Sequence, residues 1–341
     1  MAQITTPFET PPDFGSAIEI ADGIIWIRLP LPMALDHVNI YAIDDGDGWC
    51  IVDTGYNTSK TIEMWENLLS GPLSGKPVTK VLLTHHHPDH IGLAGWFMSR
   101  GAKLLTSRTA YLLGRMLTLD VQSEWPKETI DFYRASGMPQ SMIEARLKER
   151  PYNFADVVHP IPLGFDRLVE GTTIRLGGRD WIVRMGNGHA PEHVTLWATD
   201  NSIVIAGDQV ILGISPNIGV YPTEPDSDPL AEWLKACVDF LPHADPTQLV
   251  LSGHKLPFRG LGQRLEQLIE HHHQALERLS DFISEPRAAV EAFDVLFGRT
   301  LKPVEFGFAL VESVAHMNHL WMSGIASRQL DADSVFRFQK L

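Results

Sequence analysis

The sequence has little cysteine, little basic charge and no long apolar run. Two cysteines, Cys50 and Cys237, occur in 341 residues, which excludes a disulfide scaffold and predicts two reduced core thiols. Lys and Arg number 28 against 42 Asp and Glu, giving a net charge of −14. Because no basic block is present to neutralise phosphates, nucleic acid is disfavoured as a partner.

The first residues lack the basic start and apolar stretch of a signal peptide, and no later segment approaches the roughly eighteen apolar residues of a membrane span. We therefore expect a cytoplasmic protein with no membrane partner. Hydrophobic residues make up 44% and charged residues 21%, which is globular usage. A chain of 341 residues accommodates two domains or one large α/β domain with insertions.

Strand patterns fall into two blocks separated by helical patterns. Residues 18–54 alternate between apolar and polar, with Asp-Gly pairs at the turns, and predict an antiparallel start. A second β-rich half follows over residues 172–252. Further elements are predicted as helices over 58–69 and 229–241 and as strands over 80–84 and 248–252.

Residues 108–150 are mostly helical and longer than a connection requires. This insertion is predicted to wall a substrate pocket with Tyr111, Trp125, Phe132 and Tyr133, or else to form a dimer interface. The insertion lies within residues 1–262, which are predicted as a catalytic domain. Two long helical patterns after residue 262 predict a small, mainly helical C-terminal domain over 263–341.

The run His85–His90, HHHPDH, is the sharpest chemical signal in the chain. On an extended backbone His85 and His87 project to the same side, so both imidazoles can reach one metal ion, while the imidazole between them points away. Pro88 is expected to end the strand. Asp89 and His90 then lie in the first turn of a helix, which predicts a second metal position beside the first.

This run resembles the metal-binding motif of the metallo-β-lactamase superfamily, and the other motifs of that family follow in order over about residues 18–260. They are Asp53 in VDTG, His189 in GNGHAPEH, Asp208 in VIAGDQV and His254 in VLSGHKLP. The resemblance implies an α/β fold, a four-layer αββα sandwich with a helical insertion and a small helical C-terminal domain. It also implies that one metal takes His85, His87 and His189, that a second takes Asp89, His90 and His254, and that Asp208 bridges them.

Five imidazoles and two carboxylates without a thiolate favour two divalent Zn²⁺ ions, while Fe and Mn are also chemically reasonable. Asp89 and Asp208 are expected to act in catalysis as metal ligands. Asp53 is expected to orient a ligand histidine or the reacting water.

The resemblance implies a binuclear hydrolase that uses a metal-bridging hydroxide on an acyl thioester or a related small-molecule ester. THHHPDH is similar to the glyoxalase II branch, but the residues after Asp208 and His254 depart from that branch. The alternatives are a lactone or β-lactam hydrolase, a metal-dependent endoribonuclease, and a non-hydrolytic iron protein. Lys255 and Arg259 are candidate contacts for an anionic part of the substrate.

Residues 308–338 resemble the winged-helix-like module that follows the catalytic domain in one subgroup of the superfamily, and a homodimer is a possible assembly. The tract His271–His273 is predicted to be a solvated helix face, since consecutive helical residues point about 100° apart. His316 and His319 are predicted to be core or interface histidines.

Overall fold

The antiparallel strands expected near the start of the chain form half of a mixed sheet. The computed structural model describes residues 3–341. The first seven strands of the chain lie side by side in one sheet, in sequence order. They are β1 (Ala17–Ala21), β2 (Ile24–Pro30), β3 (His37–Asp44), β4 (Trp49–Val52), β5 (Val78–Leu82), β6 (Lys103–Thr106) and β7 (Asp166–Arg167). Strands β1 to β4 pair antiparallel, and β4 to β7 pair parallel.

Four helices connect the parallel strands: α1 (Ser59–Ser70), α2 (Pro88–Ile91), α3 (Ala94–Met98) and α4 (Arg108–Leu119). Helix α1 begins where predicted because the Thr58 side chain accepts a hydrogen bond from the Thr61 backbone N–H at 3.1 Å. Trp65 packs edge-on against Phe97 at 4.9 Å, in a core that α1 and α3 share with this sheet.

A second sheet contains β8 (Thr173–Leu176), β9 (Arg179–Gly186), β10 (His193–Ala198), β11 (Ile203–Gly207) and β12 (Leu249–Ser252). Strands β8 to β11 pair antiparallel, whereas β11 and β12 are parallel. The apolar faces of the two sheets pack on each other through residues such as Trp26, Tyr41 and Trp181. The fold class is therefore the mixed α/β sandwich that was predicted.

The remaining elements include six α-helices and one β-hairpin within the described residues. They are α5 (Lys127–Ala135), α6 (Gln140–Arg146), α7 (Pro229–Phe240), α8 (Leu261–Phe282), α9 (Phe293–Phe297), α10 (Phe306–Met322) and the hairpin strands β13 (Ala326–Leu330) and β14 (Phe336–Lys340). The predicted helical insertion is present as α4, α5 and α6. Pro126 and Pro139 immediately precede α5 and α6, which explains the breaks between these helices. The winged-helix character of the last segment remains a prediction.

Packing divides the chain into two units, each built from separate stretches of sequence. The first contains residues 3–121, 153–216 and 240–264, and the second contains 122–152, 217–239 and 265–341. Leu310 of α10 packs with Ile130 and Ile143 of the insertion, which gives the second unit a core of its own. The predicted domain boundary between residues 262 and 263 stays a prediction, since each packing unit is assembled from three separate stretches of the chain.

Both cysteines are buried thiols, as expected. Within residues 3–341, every helix is too short or too polar to cross a lipid bilayer.

Candidate metal centre

Strand directions explain why the candidate ligands meet at one edge of the first unit. Parallel β4 and β5 both end at this edge, followed by Asp53 and by His85. Parallel β11 and β12 likewise end together, before Asp208 and His254. His189 precedes β10, which runs antiparallel to β11 and therefore begins where β11 ends. These strand directions bring residues that are far apart in sequence to the same edge.

The first group consists of three imidazoles, of His85, His87 and His189. Nε2 of His85 lies 3.0 Å from Nδ1 of His87, which lies 3.1 Å from Nε2 of His189. The His85 and His189 Nε2 atoms are 3.3 Å apart. Nitrogen ligands of a tetrahedral zinc ion are separated by about 3.3 Å, given Zn–N bonds of about 2.0 Å, so the spacing suits one ion. The intervening His86 ring instead stacks at 6.4 Å on Phe154, as its predicted orientation requires.

The second group contains Asp89, His90 and His254. An Asp89 carboxylate oxygen, Oδ2, lies 3.4 Å from the Nε2 atoms of both His90 and His254. Asp208 lies between the two groups, since its Oδ2 is 3.1 Å from His254 Nε2, 3.4 Å from His90 Nε2 and 3.6 Å from His189 Nε2. All seven predicted ligands therefore converge, and the bridging position suits Asp208.

Asp53 fixes the orientation of two ligand histidines. Its Oδ2 accepts hydrogen bonds from Nδ1 of His90 at 2.8 Å and from the Thr84 hydroxyl at 2.8 Å. That hydroxyl lies 2.9 Å from Nδ1 of His85 and, having donated to Asp53, accepts from this nitrogen. Both rings thus carry their protons on Nδ1, which leaves each Nε2 free to bind a metal. Asp53 has φ of 62°, an uncommon conformation for a residue other than glycine.

The loop that carries His254 is tied to β3. Nδ1 of His254 donates to the His37 carbonyl at 2.6 Å and leaves Nε2 pointing at the carboxylates. Asn39 donates to the carbonyls of Ser252 and Lys255, at 3.0 and 2.8 Å. The position of His254 is therefore set by backbone groups as well as by its own side chain.

Glycine permits the close approach of Asp208 to this loop. A Cβ on Gly253 would lie 2.2 Å from Oδ1 of Asp208 and 2.8 Å from Cε1 of His90. Any larger residue at 253 would displace the candidate bridging carboxylate.

The two groups differ in their proton affinity. Burial, reinforced by neighbouring histidines, lowers the pKa of His85 and of His87 well below the ordinary value. Burial also opposes ionisation of His90 and His254, but nearby carboxylates outweigh it. They raise the pKa of His90 well above normal and that of His254 to about 10. Without a bound metal, His90 and His254 are therefore charged, with a proton on Nε2 that a metal would displace, whereas His85 and His87 are neutral.

The donor atoms fit a divalent metal. Within residues 3–341, His90 Nε2 and Asp208 Oδ1 are buried without a hydrogen-bond partner, although buried polar atoms are rarely unsatisfied. Three overlapping sets of ligand atoms in the described residues are close enough to hold an ion: His85 with His87 and His189, His85 with His90 and Asp208, and Asp89 with His90 and His254. A metal would satisfy the two orphaned atoms and offset the charge of Asp89 and Asp208.

The two predicted substrate-contact cations lie in different places. Lys255 directly follows His254, and its ammonium has no hydrogen bond or ion pair within the described chain. Phe258 pairs back onto Val250, so Arg259 lies beside the start of β12, away from His254, and its guanidinium donates to the Thr247 carbonyl. This arrangement favours Lys255 as the contact.

Two supporting residues, Thr84 and His37, were not identified from sequence, and both contact ligand histidines directly. The neighbouring His193 is fully buried. His193 stacks on His85 at 4.6 Å, and its Nε2 accepts from the Asp208 backbone N–H at 3.1 Å. A hydroxyl immediately before HHHPDH is the signal that could have indicated Thr84.

The predicted pocket-wall aromatics have structural partners. Tyr111 stacks on Phe165 at 4.2 Å, and the Trp125 indole donates to the Arg146 carbonyl at 2.8 Å. Phe132 is buried, and Tyr133 packs beside the guanidinium of Arg146 at 5.2 Å. Their part in a substrate pocket remains a prediction.

Known proteins resemble this chain along nearly its whole length. The Metallo-beta-lactamase superfamily model matches residues 33–254, and the Metallo-beta-lactamase-like C-terminal domain model matches 276–341. A Bacillus subtilis (strain 168) protein named "Probable metallo-hydrolase YqjP" is 25% identical over 322 residues, or 92% of this chain and 97% of that protein.

Two solved structures are similar over both units. A beta-lactamase domain protein from Burkholderia ambifaria is 33% identical, with a TM-score of 0.89, covering 99% of this chain and 97% of that one. A metallo-beta-lactamase family protein from Thermus thermophilus is 25% identical, with a TM-score of 0.79, covering 95% and 100%.

Proposed function

The chain belongs to the metallo-β-lactamase superfamily as a metal-dependent hydrolase, and on that premise we propose that it hydrolyses an acyl thioester or related small-molecule ester at a centre of two divalent ions. The observation that carries this proposal is the position of Asp208, with one oxygen within 3.6 Å of a nitrogen in each ligand group. Zn²⁺ is the proposed metal because the donors are imidazoles and carboxylates.

Bound ions would supply Lewis acidity and a water activated near neutral pH. The surrounding residues hold the ligands in place for this chemistry. Asp53 and Thr84 fix the His85 and His90 rings, and the His37 carbonyl fixes His254. Little reorganisation is then required when substrate binds, which is the condition for efficient electrostatic catalysis.

Lys255 is proposed to bind an anionic part of the substrate remote from the bond that is cleaved. Its φ of 64° is held by hydrogen bonds from its backbone N–H to His37 and from Asn39 to its carbonyl. The backbone conformation is thus fixed while the ammonium makes no hydrogen bond or ion pair in the described chain, which suits a carboxylate or phosphate on the substrate.

A substrate panel tests the assignment. Aryl esters, CoA and glutathione thioesters, acyl lactones, a cephalosporin and single-stranded RNA would be assayed with zinc-loaded wild type and the Asp208→Asn variant. We expect thioester turnover that is lost in the variant. Turnover confined to lactones or to the cephalosporin would replace the thioester proposal with that hydrolase. Cleavage of RNA alone would overturn it, and would be surprising at a net charge of −14.

A further inference from the structure

The outer face of the second sheet contains a pocket away from the candidate metal centre. It has a volume of about 370 Å³ and is lined by strands β9 and β10 and by the segment before β12. Side chains alternate along a strand, so Arg184 and Trp197 point to this outer face while Val183 and Leu196 enter the core between the sheets. Trp197 lies four residues along β10 from His193, or about 13 Å at the usual strand rise.

Arg184 is the unusual residue of this pocket. Its guanidinium lies 5.7 Å from the centre of the Trp197 ring, and its Nε is buried without a hydrogen-bond partner. Within residues 3–341 no acceptor or carboxylate binds the guanidinium, which is partly buried, and its buried Nε–H is left unsatisfied although such donors normally have a partner. His243 lies against the other side of the pocket, edge-on to Trp197 at 6.3 Å.

Comparison with Arg28 shows what Arg184 lacks. Burial lowers the pKa of both guanidinium groups. Both also have a buried Nε without a hydrogen-bond partner, but Arg28 is compensated by Asp36, whose carboxylate lies 3.7 Å away. Arg184 has only the electrostatic influence of Glu170, whose carboxylate is engaged by the Met185 backbone N–H. The cost of desolvating Arg184 is therefore not offset by a bound anion of the protein itself.

The other charged group at the pocket is already engaged. Asp245 accepts hydrogen bonds from the backbone N–H and the hydroxyl of Thr247, at 2.8 and 2.6 Å, and is not bonded to Arg184. Asp245 thus leaves the terminal N–H groups of the Arg184 guanidinium available to a ligand.

We propose that this pocket is a second ligand site, distinct from the metal centre, which binds a small molecule through a phosphate or carboxylate group on Arg184. A guanidinium fork matches both anions, and a volume of about 370 Å³ holds more than the anion alone. Ile182 and Trp197 contribute apolar surface to the lining for the rest of the ligand.

Calorimetric titration of metal-free protein with inorganic phosphate and, separately, with acetate tests this site, because no bound metal is then present to take up the anion and the Arg184 variant separates the pocket from the charged histidines of the metal centre. We expect saturable binding of at least one anion. Arg184→Gln should weaken it on the order of tenfold or more, because a charge-assisted bidentate contact is lost. Arg175→Gln is the matched control, since Arg175 lies on the same sheet but is paired with Asp180 at 3.0 Å.

The relative response to the two anions identifies the ligand class. Stronger binding of phosphate indicates a phosphorylated ligand, and stronger binding of acetate indicates a carboxylate. The absence of saturable binding of both, or equal affinity in wild type and Arg184→Gln, would overturn the proposal. If the variant does not fold, NMR of the wild type decides, because binding must shift the Arg184 Nε–H and Trp197 indole signals.

Discussion

Two histidine-rich regions of this protein look alike in sequence and differ in structure. In the first unit, imidazoles of His85, His87 and His189 converge at 3.0 to 3.3 Å, beside a second group that contains carboxylates. In the second unit, His272 and His316 form a buried pair at 3.2 Å. The His316 Nδ1 donates to the Glu312 carbonyl, so its Nε2 accepts from His272.

The difference lies in where the free lone pairs point. Outer partners in the first unit occupy one nitrogen of each tethered ring and direct the other nitrogen into a common space. The paired histidines of the second unit satisfy each other, and His319 donates to Asp228 at 3.1 Å. A metal site therefore requires convergent, oriented nitrogens with nearby carboxylates, and a high local content of histidine is insufficient.

Loss of Asp208 should have the largest effect. Asp208→Asn removes the carboxylate shared by both ligand groups, so we expect turnover to fall on the order of a hundredfold or more and bound metal to fall from about two ions per chain to about one. Elemental analysis and kinetics measure both. Asp228→Asn, in the other histidine region, is the control and should leave both unchanged. Unaltered metal content in Asp208→Asn would contradict the bridging role.

Loss of Asp53 should have the next largest effect. Asp53→Asn keeps the size of the side chain but removes the charge that orients His90 and, through Thr84, His85. We expect zinc affinity to fall about 10- to 100-fold, measured by competition with a chelator. Thr84→Val should lower affinity less, since only the link to His85 is lost. Affinity equal to wild type in Asp53→Asn would show that the ligand loops orient the rings unaided.

A smaller effect is expected at Lys255, because a remote charge contact stabilises bound substrate and transition state alike. Lys255→Ala should raise KM about tenfold with little change in kcat for an anionic thioester. Arg328→Ala is the matched control in the second unit, since Arg328 is already paired with Asp226 at 2.7 Å. Both Arg328→Ala and Arg259→Ala should leave KM nearly unchanged. A fall confined to kcat in Lys255→Ala would contradict the anchoring role.

The smallest effect concerns acid stability of the histidine pair. Burial lowers the pKa of His272 to about 2 and that of His316 to about 4. Unfolded histidines titrate near 6.5, so between about pH 6.5 and pH 4 the unfolded chain binds protons that the folded protein does not, and stability falls as the pH falls.

Denaturant unfolding near pH 7.5 and near pH 5 measures this loss. The double variant His272→Gln/His316→Gln should lose less stability between the two pH values than wild type, by about 1 kcal/mol or more. Equal losses would show that the pair tolerates protonation, as the carboxylate-bound His254 does.

Several elements could be predicted closely from local sequence. Helix α1, strand β12 and the breaks in the insertion depend on caps, apolar periodicity and prolines, which act over a few residues. The prediction for His271–His273 was wrong in one respect, because His272 is buried against Trp233 at 5.0 Å. The 100° step of a helix that separates three consecutive side chains also turns one of them toward the core.

The sequence by itself determined the chemistry that is available: HHHPDH supplies ligands at two adjacent positions, and the scarcity of cysteine restricts the donors to imidazoles and carboxylates. Tertiary structure decided which distant residues join them. Parallel pairing of β11 with β12 brings Asp208 beside His254, and the His37 carbonyl on β3 selects the nitrogen of His254 that faces the site. Strand order likewise places Arg184 beside Trp197 on an outer face. Such contacts depend on how separate segments pair in the folded sheet, which local patterns do not encode.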